Sequence, residues 1–503
     1  LKELVNIRLF FFMSFILLAV VSTLGSKESA IYPVILSFDF SLIKHYFITN
    51  DNYFRLPDTL LRIIVFGLSI ICLIIVERFS PNKDMNLPKF FPNLVKFLLL
   101  IFFSTFLTTN NIYNMVTLLL LVSSIYYFIY YKKKSLSGVD LLLIFTLFLL
   151  FFYPLLTSLD FNTPIKELDN YSRFFILIPV FYMFREIKIS LKELLLMINI
   201  SSILIGIFAI YTYFIVGEVR VRGFTSSATI FGNISLIYAM ISLISISYFK
   251  NHRKYQILCL SSLALVLFAW VLTGTRGSLI TLFCSLIFLL FRENRHLVLS
   301  FSYKKTSIFL FCIGLIFFNS NTYDRFINSY NSTYNYVFND AGHYWNHKDS
   351  FVPRFLIWSG TIHIISENPV NGIGLSNFNE AILGQIASKN IAPIKPGFID
   401  SSAGINHAHN QYLDIFAKTG FIGFLILATL LFIFYYYFKR YRGSGNFDSS
   451  YAAMIGCLLT IMFSSNMLFH AILSHQQSTL FMIIILFVFA GITANNSHVE
   501  ESK

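Results

Sequence analysis

Charged residues are scarce in this sequence. Only 13% of its 503 residues are Asp, Glu, Lys or Arg, whereas 56% are hydrophobic and 18% are aromatic. Soluble globular chains carry about 25% charged residues, close to twice that share. The composition therefore excludes a soluble globular protein and indicates a polytopic membrane protein.

Cysteine is also scarce, and acidic clusters are missing where a metal would need them. The five cysteines all lie within or beside apolar runs, where free thiols behave as small hydrophobic side chains: Cys72, Cys259, Cys284, Cys312 and Cys457. We therefore expect neither a disulfide framework nor a metal site. No DxD-like acidic motif occurs in the segments that we assign to the outer side, so the sequence favours chemistry without a metal or other cofactor.

Long apolar runs, in contrast, recur from end to end. A helix of roughly 17–25 residues crosses the hydrocarbon core of a bilayer. About fourteen such runs occur, near 7–25, 59–77, 91–109, 112–131, 138–157, 171–185, 191–217, 230–249, 256–274, 277–292, 304–319, 420–438, 451–472 and 476–494. The run at 171–185 is short and the run at 304–319 opens with polar residues. The sequence thus predicts an all-α fold with about 12–14 transmembrane helices.

The net charge of +13 comes from small basic groups in alternate connections between these runs. This pattern fixes membrane orientation by the positive-inside rule and does not resemble a nucleic-acid-binding surface. It predicts both termini on the cytoplasmic side. The basic groups assigned to that side include Lys132–Lys134, Lys250, Arg253, Lys254, Lys439, Arg440 and Arg442.

Two outer connections are long, at about 26–58 and 320–409. The second contains "RFLIWSGTIHIISENPVNGIGLSNFNEAIL", whose apolar residues recur at helical spacing before a Pro/Gly turn. We expect amphipathic helices there, lying on the membrane surface or capping a cavity. The chain is thus divided into N-terminal helices (1–158), central helices with arginine motifs (159–319), the large loop (320–410) and C-terminal helices (411–503).

Arginines stand at the outer ends of two predicted spans. In "WVLTGTRGSLI", Arg276 lies between Gly274 and Gly277 where two spans meet almost without a loop. A charge there is costly unless it is paired, faces a wet cavity or holds an anion, so an anion site is expected. In "GEVRVRGFTSSATIFGN", Arg220 and Arg222 are basic residues on the side where such residues are disfavoured.

Two further outer segments carry polar residues. Asp169 and Arg173 in "KELDNYSRFF" are four residues apart and would share a helix face, either as a local ion pair or as part of the site. In "GINHAHNQYLDIF", His407, His409 and Asn410 precede a helix predicted to begin near Gln411. On a helix the two histidines would point apart, and no acidic or cysteine partner stands at metal-ligand spacing. His407 is either a cap or part of the site.

Arginines and a histidine gathered at one membrane face suit a particular reaction. Arginine forks bind phosphate and diphosphate, and histidine accepts a proton from a hydroxyl near neutral pH. Together they predict the transfer of a group from a lipid diphosphate to a hydroxyl acceptor. The arginines would stabilise the charge that builds on the leaving diphosphate.

The same motifs resemble those of the bacterial O-antigen ligase and O-antigen polymerase superfamily. "HNQYLDIFAKTGFIG", with Gly420 and Gly423 after His409 and Asn410, is similar to the ligase signature. "TGTRGSLI", "LDNYSRF" and "VRGFTSSATIFGN" resemble upstream elements, so the resemblance covers about residues 160–440. The loop segment resembles the superfamily pattern at Arg354, Trp358, Pro369, Gly372 and Gly374.

This resemblance implies a membrane-embedded, metal-independent, inverting glycosyltransferase of the bacterial inner membrane, with its active site facing the periplasm. Its donor would be a glycan on undecaprenyl diphosphate, and a ligase would use a sugar hydroxyl of the lipid A core as acceptor. By motif, His409 would be the catalytic base, and the diphosphate would be bound by Arg276, Arg222, Arg354 and, as a further candidate, Arg220. The supporting residues would be Asn410, His407, Gly277, Asp169 and Arg173.

Other functions remain open at this stage. An O-antigen or capsule polymerase of the same superfamily would use the same donor and a second lipid-linked glycan as acceptor. The histidine motif with two downstream glycines favours the ligase. A lipid or solute transporter is less favoured, because the polar motifs crowd one surface and the spans are almost free of charge. A protein O-oligosaccharyltransferase is also less favoured, because that group usually carries a further C-terminal domain, whereas this sequence ends soon after its last predicted span.

Overall fold

A computed structural model of the chain describes residues 90–130, 136–159, 168–290, 352–391, 405–442 and 446–497, together with 327, 328 and 331. By internal contacts the chain divides into two units. One comprises Asp84–Thr163 and Asn170–Lys503, and the other Leu1–Lys83 and Pro164–Asp169. The predicted spans at 7–25, 59–77 and 304–319 and the predicted connection at 26–58 lie outside the described residues.

Regular structure in the described ranges is helical, and no strand occurs in them. In chain order the helices are α1 (Phe90–Thr105), α2 (Ile112–Tyr130), α3 (Gly138–Leu159), α4 (Asp169–Ile176), α5 (Ile178–Glu186), α6 (Leu191–Phe214), α7 (Ala228–Tyr248), α8 (Arg253–Leu272), α9 (Ser278–Leu290), α10 (Val352–Glu367), α11 (Phe378–Ala387), α12 (Gln411–Tyr441), α13 (Phe447–Asn466) and α14 (Gln476–Ser497). A short 3₁₀ turn, Ile472–Ser474, precedes α14.

Within the part of the chain that the structure describes, seven helices are long and apolar enough to cross a membrane: α3, α6, α7, α8, α12, α13 and α14. Three shorter apolar helices, α1, α2 and α9, accompany them. The predicted class, an all-α polytopic membrane protein, is confirmed. The chain is a multi-pass membrane protein.

The predicted span at 171–185 is not one continuous helix. It is divided into α4 and α5, and Leu177 between them caps α5. Pro179 lies in the first turn of α5, where its missing N–H costs nothing, whereas inside a longer helix its ring would clash with the carbonyl four residues earlier. The predicted span at 451–472 is also shortened, because α13 ends at Asn466 and the next nine residues form a connection.

The centre of the bundle is formed by helices that are buried on every side. The membrane-length segment of α14 is 100% buried and that of α7 is 89% buried, whereas those of α3 and α8 are each 39% buried. Hydroxyl groups join the central helices to their neighbours, since Ser242 and Ser262 share a hydrogen bond at 2.7 Å and Tyr238 donates to the Phe103 carbonyl at 2.8 Å. The partly buried helices keep an apolar face for lipid.

The connections alternate between the two ends of the bundle. At one end, Thr275 Oγ1 in the α8–α9 turn donates to the Ala228 carbonyl at the start of α7, and the Gln411 N–H donates to the Met467 carbonyl. At the other end, Tyr248 donates to Asp448 and so joins the α7–α8 and α12–α13 connections. This second end carries the basic residues Lys250, Arg253, Lys254, Lys439, Arg440 and Arg442.

Helices α10 and α11 form a small layer that packs on the start of α12. Their shared apolar core includes Leu356, Ile357, Ile364, Phe378, Ile382, Ile391, Ile405, Ala408 and Ala417. The helices expected in the large loop are therefore present over 352–387. Because Arg354 lies at the beginning of α10, this layer also reaches the polar end of the bundle.

Candidate active site

Three arginines from three separate elements line one cavity of about 90 Å³. Arg220 comes from the α6–α7 connection, Arg276 from the α8–α9 turn and Arg354 from α10. The other lining residues are Thr229, Asn233, Gly274, Thr275, Gly277, Asn466, Phe469 and His470. Three guanidinium groups at one cavity favour an anionic ligand.

The turn that carries Arg276 is held tightly. Gly274 has φ of +58°, a left-handed conformation that suits glycine, and it leads from α8 into the turn. The hydroxyl of Thr273 donates to Thr275 Oγ1 at 2.8 Å. A β-carbon on Gly277 would stand 3.0 Å from Cβ of Phe469, so the turn packs closely against the α13–α14 connection. The two glycines therefore permit a tight turn and a close approach of its backbone to the neighbouring connection.

The structure places Arg220, rather than Arg222, at the cavity. The Nε of Arg220 donates to the Thr273 carbonyl at 2.9 Å, which directs its guanidinium along the α8–α9 turn. The side chain of Arg222 is 67% exposed, and its Nε lies 4.0 Å from the Glu218 carboxylate. Arg222 therefore stands outside the cavity, on the same connection.

Arg354 is half-buried in the first turn of α10. Burial lowers the pKa of its guanidinium from the ordinary value. Because that ordinary value is so high, the group stays charged at physiological pH. One turn further along α10, Trp358 Nε1 donates to the Ala408 carbonyl at 2.9 Å. This bond ties the helix that carries Arg354 to the loop that carries His409.

Four histidines gather beside this cavity. The rings of His407 and His409 have centroids 4.3 Å apart, and His407 and His475 are 5.2 Å apart. His470 stacks on His475 at 4.8 Å with 6° between the ring planes. Of the four, His470 lines the cavity itself, and the Arg354 charge acts on His407, His409 and His470.

His407 and His409 lie before α12 and not on a helix, so the divergence that a helix would impose on them does not occur. Residues 405–410 are a loop in which His409 has φ of +54°. The His409 N–H donates to Nδ1 of His407 at 3.3 Å, which places the proton of a neutral His407 on Nε2. Among the described residues, no group of three or more His, Cys, Asp or Glu side chains is placed to hold a metal ion.

The surroundings keep this cluster neutral. Burial lowers the pKa of His409 to about 3, with further lowering by His407 and Arg354. Burial likewise lowers the pKa of His407 to about 3 and that of His470 well below its ordinary value. A neutral imidazole is the form that accepts a proton.

Asn410 fixes where α12 begins. Its Oδ1 accepts hydrogen bonds from the Tyr412 and Leu413 N–H groups at 3.0 and 3.2 Å, as an N-cap does. The predicted helix start at Gln411 is therefore confirmed. Gln411 in turn accepts from the Leu473 N–H at 2.7 Å, so the start of α12 is bound to the connection that carries His470. Asn410 thus supports the site by positioning.

A buried ion pair in α12 supports the histidine loop, residues 405–410, which carries His407 and His409. Lys418 Nζ lies 3.1 Å from Asp414 Oδ1, and both side chains are almost fully buried. Lys418 also donates to the Asn406 carbonyl at 2.8 Å, while Asp414 accepts from the Ala408 N–H at 3.0 Å and from Ser474 at 3.2 Å. The pair therefore joins the histidine loop to the α13–α14 connection. Sequence reasoning did not identify it, although the i,i+4 spacing was visible.

Gly420 in α12 and Gly372 in the turn after α10 lie against each other at a break in α12. Gly420 has φ of 68° and ψ of −170°, which interrupts the helix. The turn after α10 docks there: the Phe421 N–H donates to the Pro369 carbonyl at 2.9 Å, and the N–H of Gly374 donates to Lys418 O at 2.9 Å. These glycines therefore attach the α10–α11 layer, and Arg354 with it, to α12.

Asp169 and Arg173 do not line the cavity. Asp169 opens α4, and Arg173 Nη1 donates to Asn170 Oδ1 at 2.9 Å. His470 and His475, in contrast, were missed by the sequence analysis. Their signal is the short motif "HAILSH" between two apolar runs, which lies about 60 residues beyond the histidine loop and reaches it only in the folded chain.

Comparison with known proteins supports the family resemblance. Residues 261–428 match a family model described as O-Antigen ligase. The resemblance to the O-antigen ligase and polymerase superfamily is confirmed for this region, which contains Arg276, Arg354 and His409. A protein of Haemophilus influenzae is 27% identical over 365 residues, which cover 71% of this chain and 87% of that protein; it is described only as an uncharacterized protein.

Proposed function

We propose that this multi-pass membrane protein, with its O-antigen ligase-like region, transfers a glycan from undecaprenyl diphosphate to a sugar hydroxyl of the lipid A core. The observation that carries the proposal is one cavity lined by Arg220, Arg276 and Arg354 beside a neutral His409. Three fixed positive charges match a diphosphate diester, which carries two negative charges. The neutral histidine supplies the base that the acceptor hydroxyl needs.

The reaction follows from these roles. The acceptor oxygen forms a bond to the anomeric carbon while the bond from that carbon to the diphosphate oxygen breaks. The electron pair of the broken bond stays on the diphosphate, where Arg276, Arg220 and Arg354 stabilise it. His409 takes the hydroxyl proton. Direct displacement inverts the anomeric centre, and no metal ion is needed because the arginines neutralise the leaving group.

Donor binding also tunes the base. In the free protein, burial and the Arg354 charge lower the pKa of His409 to about 3, which makes it a weak base. A bound diphosphate opposes the Arg354 charge, so it raises the pKa of His409 toward its ordinary value. Donor binding therefore makes His409 a stronger base than in the free protein, while burial, the larger cause of the lowered pKa, still acts.

The orientation that we propose puts this end of the bundle in the periplasm and both chain termini in the cytoplasm of a bacterial inner membrane. The basic residues at the opposite end of α7, α8, α12 and α13 support it through the positive-inside rule. Arg222, exposed on the same connection as Arg220, would then meet the donor at the entrance.

The experiment is a transfer assay on the purified chain with undecaprenyl-diphosphate-linked glycan and lipid A core as acceptor, with and without a chelator. We expect a glycan-extended core in both conditions. A polymerase would instead join two lipid-linked glycans and leave the core unmodified. The gel of lipopolysaccharide from a deletion strain separates the two: a ligase defect removes the whole ladder, and a polymerase defect leaves a single repeat on the core.

A further inference from the structure

The α13–α14 connection contributes an unpaired polar atom to the arginine cavity. His470 lines the cavity and is only 4% exposed. Its Nε2 atom is buried and has no hydrogen-bond partner within the described ranges. A buried polar atom without a partner costs free energy and is uncommon in folded proteins, so it calls for an explanation.

The neighbours of His470 keep it neutral and fixed. His475 stacks on its ring with nearly parallel planes, and Arg354, His407 and His409 lie close enough to disfavour a further positive charge. Burial and these neighbours lower the pKa of His470 well below its ordinary value. A neutral imidazole keeps one N–H donor, so it can bind an anion without adding repulsion to the empty cavity.

A second neutral donor stands on the same connection. Asn466 also lines the cavity, and its Oδ1 accepts a hydrogen bond from Thr281 Oγ1 at 2.7 Å. Since the oxygen is used in this way, the amide nitrogen with its two N–H groups is the part left for the cavity. Asn466 and His470 are therefore two uncharged hydrogen-bond donors beside the three arginines, and we call this pair the neutral wall of the cavity.

We infer that His470 is a substrate-binding residue whose Nε2–H donates a hydrogen bond to a phosphate oxygen of the donor's diphosphate, with the Asn466 amide as a second donor. The inference rests on the proposed function, because it places the diphosphate in the cavity of Arg220, Arg276 and Arg354. Asn466 and His470 would donate to those phosphate oxygens that the three guanidinium groups do not reach. Binding of the donor satisfies the orphaned Nε2 atom.

The test measures diphosphate binding by the purified full chain in detergent, by calorimetry and by ligand-induced shift of the melting temperature. The probes are farnesyl diphosphate, inorganic diphosphate and farnesyl monophosphate. In His470→Phe, which keeps a ring and removes the donor, we expect Kd for both diphosphates to rise roughly 10- to 100-fold, the ratio for one lost hydrogen bond to a charged group. An effect seen with farnesyl diphosphate alone would contradict a contact to phosphate.

Amide variants keep the test valid if the phenylalanine variant does not fold. A Gln side chain brings an N–H group near the position of Nε2, whereas the shorter Asn does not reach it. His470→Gln should bind diphosphate nearly as the wild type does, and His470→Asn should lose affinity as His470→Phe does. His363→Phe, on the exposed face of α10, is the matched control and should bind like the wild type.

The outcomes separate this inference from the proposed function. If the wild type binds neither diphosphate and transfers no glycan, the proposed donor is wrong. If the wild type binds diphosphate and transfers glycan while His470→Phe and His470→Asn do so with unchanged Kd, only the role of His470 is overturned. Loss of affinity in both, with recovery in His470→Gln, supports the hydrogen bond.

Discussion

Replacing Gly420 with alanine should detach the α10–α11 layer from α12. A β-carbon on Gly420 would stand 1.8 Å from the Val370 carbonyl oxygen and 2.3 Å from its carbon, whereas non-bonded carbon contacts settle at about 3.5 Å or more. Neither atom is the flexible end of a side chain, so the turn must move away. The backbone conformation, φ 68° and ψ −170°, is itself unfavourable for alanine.

The size of the effect follows from the contacts at the break. Three backbone hydrogen bonds join the turn to α12: from Phe421 to Pro369, from Ile373 to Ala417, and from Gly374 to Lys418, each at 2.9 Å. Each contributes roughly 0.5–1.5 kcal/mol, and the strained backbone adds roughly 1–3 kcal/mol. The docking of the layer should therefore weaken by roughly 2.5–7.5 kcal/mol, enough to release it.

The assay combines thermal unfolding in detergent with limited proteolysis of the segment 352–391. We expect Gly420→Ala to expose this segment to protease and to lose glycan transfer, because Arg354 leaves the cavity. The matched control is Gly384→Ala on α11, where nothing lies within 4 Å of the added carbon, and it should behave like the wild type or be slightly more stable. A Gly420→Ala protein with wild-type proteolysis and transfer would refute the reasoning.

Further predictions concern the arginines and pH. Arg276→Lys should lose most transfer although it keeps the charge, because a bidentate grip needs the planar fork; near-normal transfer would reduce Arg276 to a structural role. Arg220→Gln should raise the donor KM more than Arg222→Gln, since Arg222 is 67% exposed outside the cavity; equal effects in kinetic assays would contradict this placement. Burial lowers the folded-state pKa of His407 to about 3, so the unfolded chain binds more protons than the folded chain below about pH 6.5. This histidine should therefore reduce the free energy of unfolding by up to about 1.4 kcal/mol per pH unit as the pH falls toward 3. His407→Gln should flatten that loss in a melting series, and an unchanged pH slope would argue against the buried neutral ring.

The sequence predicts the helices well because length and apolar content decide which segments cross a bilayer. It fails at 171–185, where hydropathy averages over the break that Pro179 imposes. It also extends α13 past Asn466, because the following connection is itself largely apolar. Hydropathy records how apolar a segment is and does not record where its backbone turns.

The sequence likewise identifies some residues of the candidate site and misses others. Arg276 is recognisable because a charge beside a span is costly and needs a reason, whereas Arg354 is recognisable only through the family motif. The sequence cannot tell whether Arg220 or Arg222 faces the cavity, since the two lie in an irregular connection without a helical or strand period. His470 and His475 escape notice because the α13–α14 connection reaches His409 only in the folded chain, where Gln411 and Asp414 contact it.

The most direct test of the account is the transfer activity of His409→Ala beside His407→Ala. Both are purified, shown to fold and to bind farnesyl diphosphate, and assayed with lipid-linked donor and lipid A core without added metal. We expect His409→Ala to abolish transfer while donor binding is kept, and His407→Ala to reduce transfer less, because only His409 is assigned the acceptor proton. Substantial turnover by His409→Ala, or loss of wild-type transfer with a chelator, would contradict the proposed mechanism.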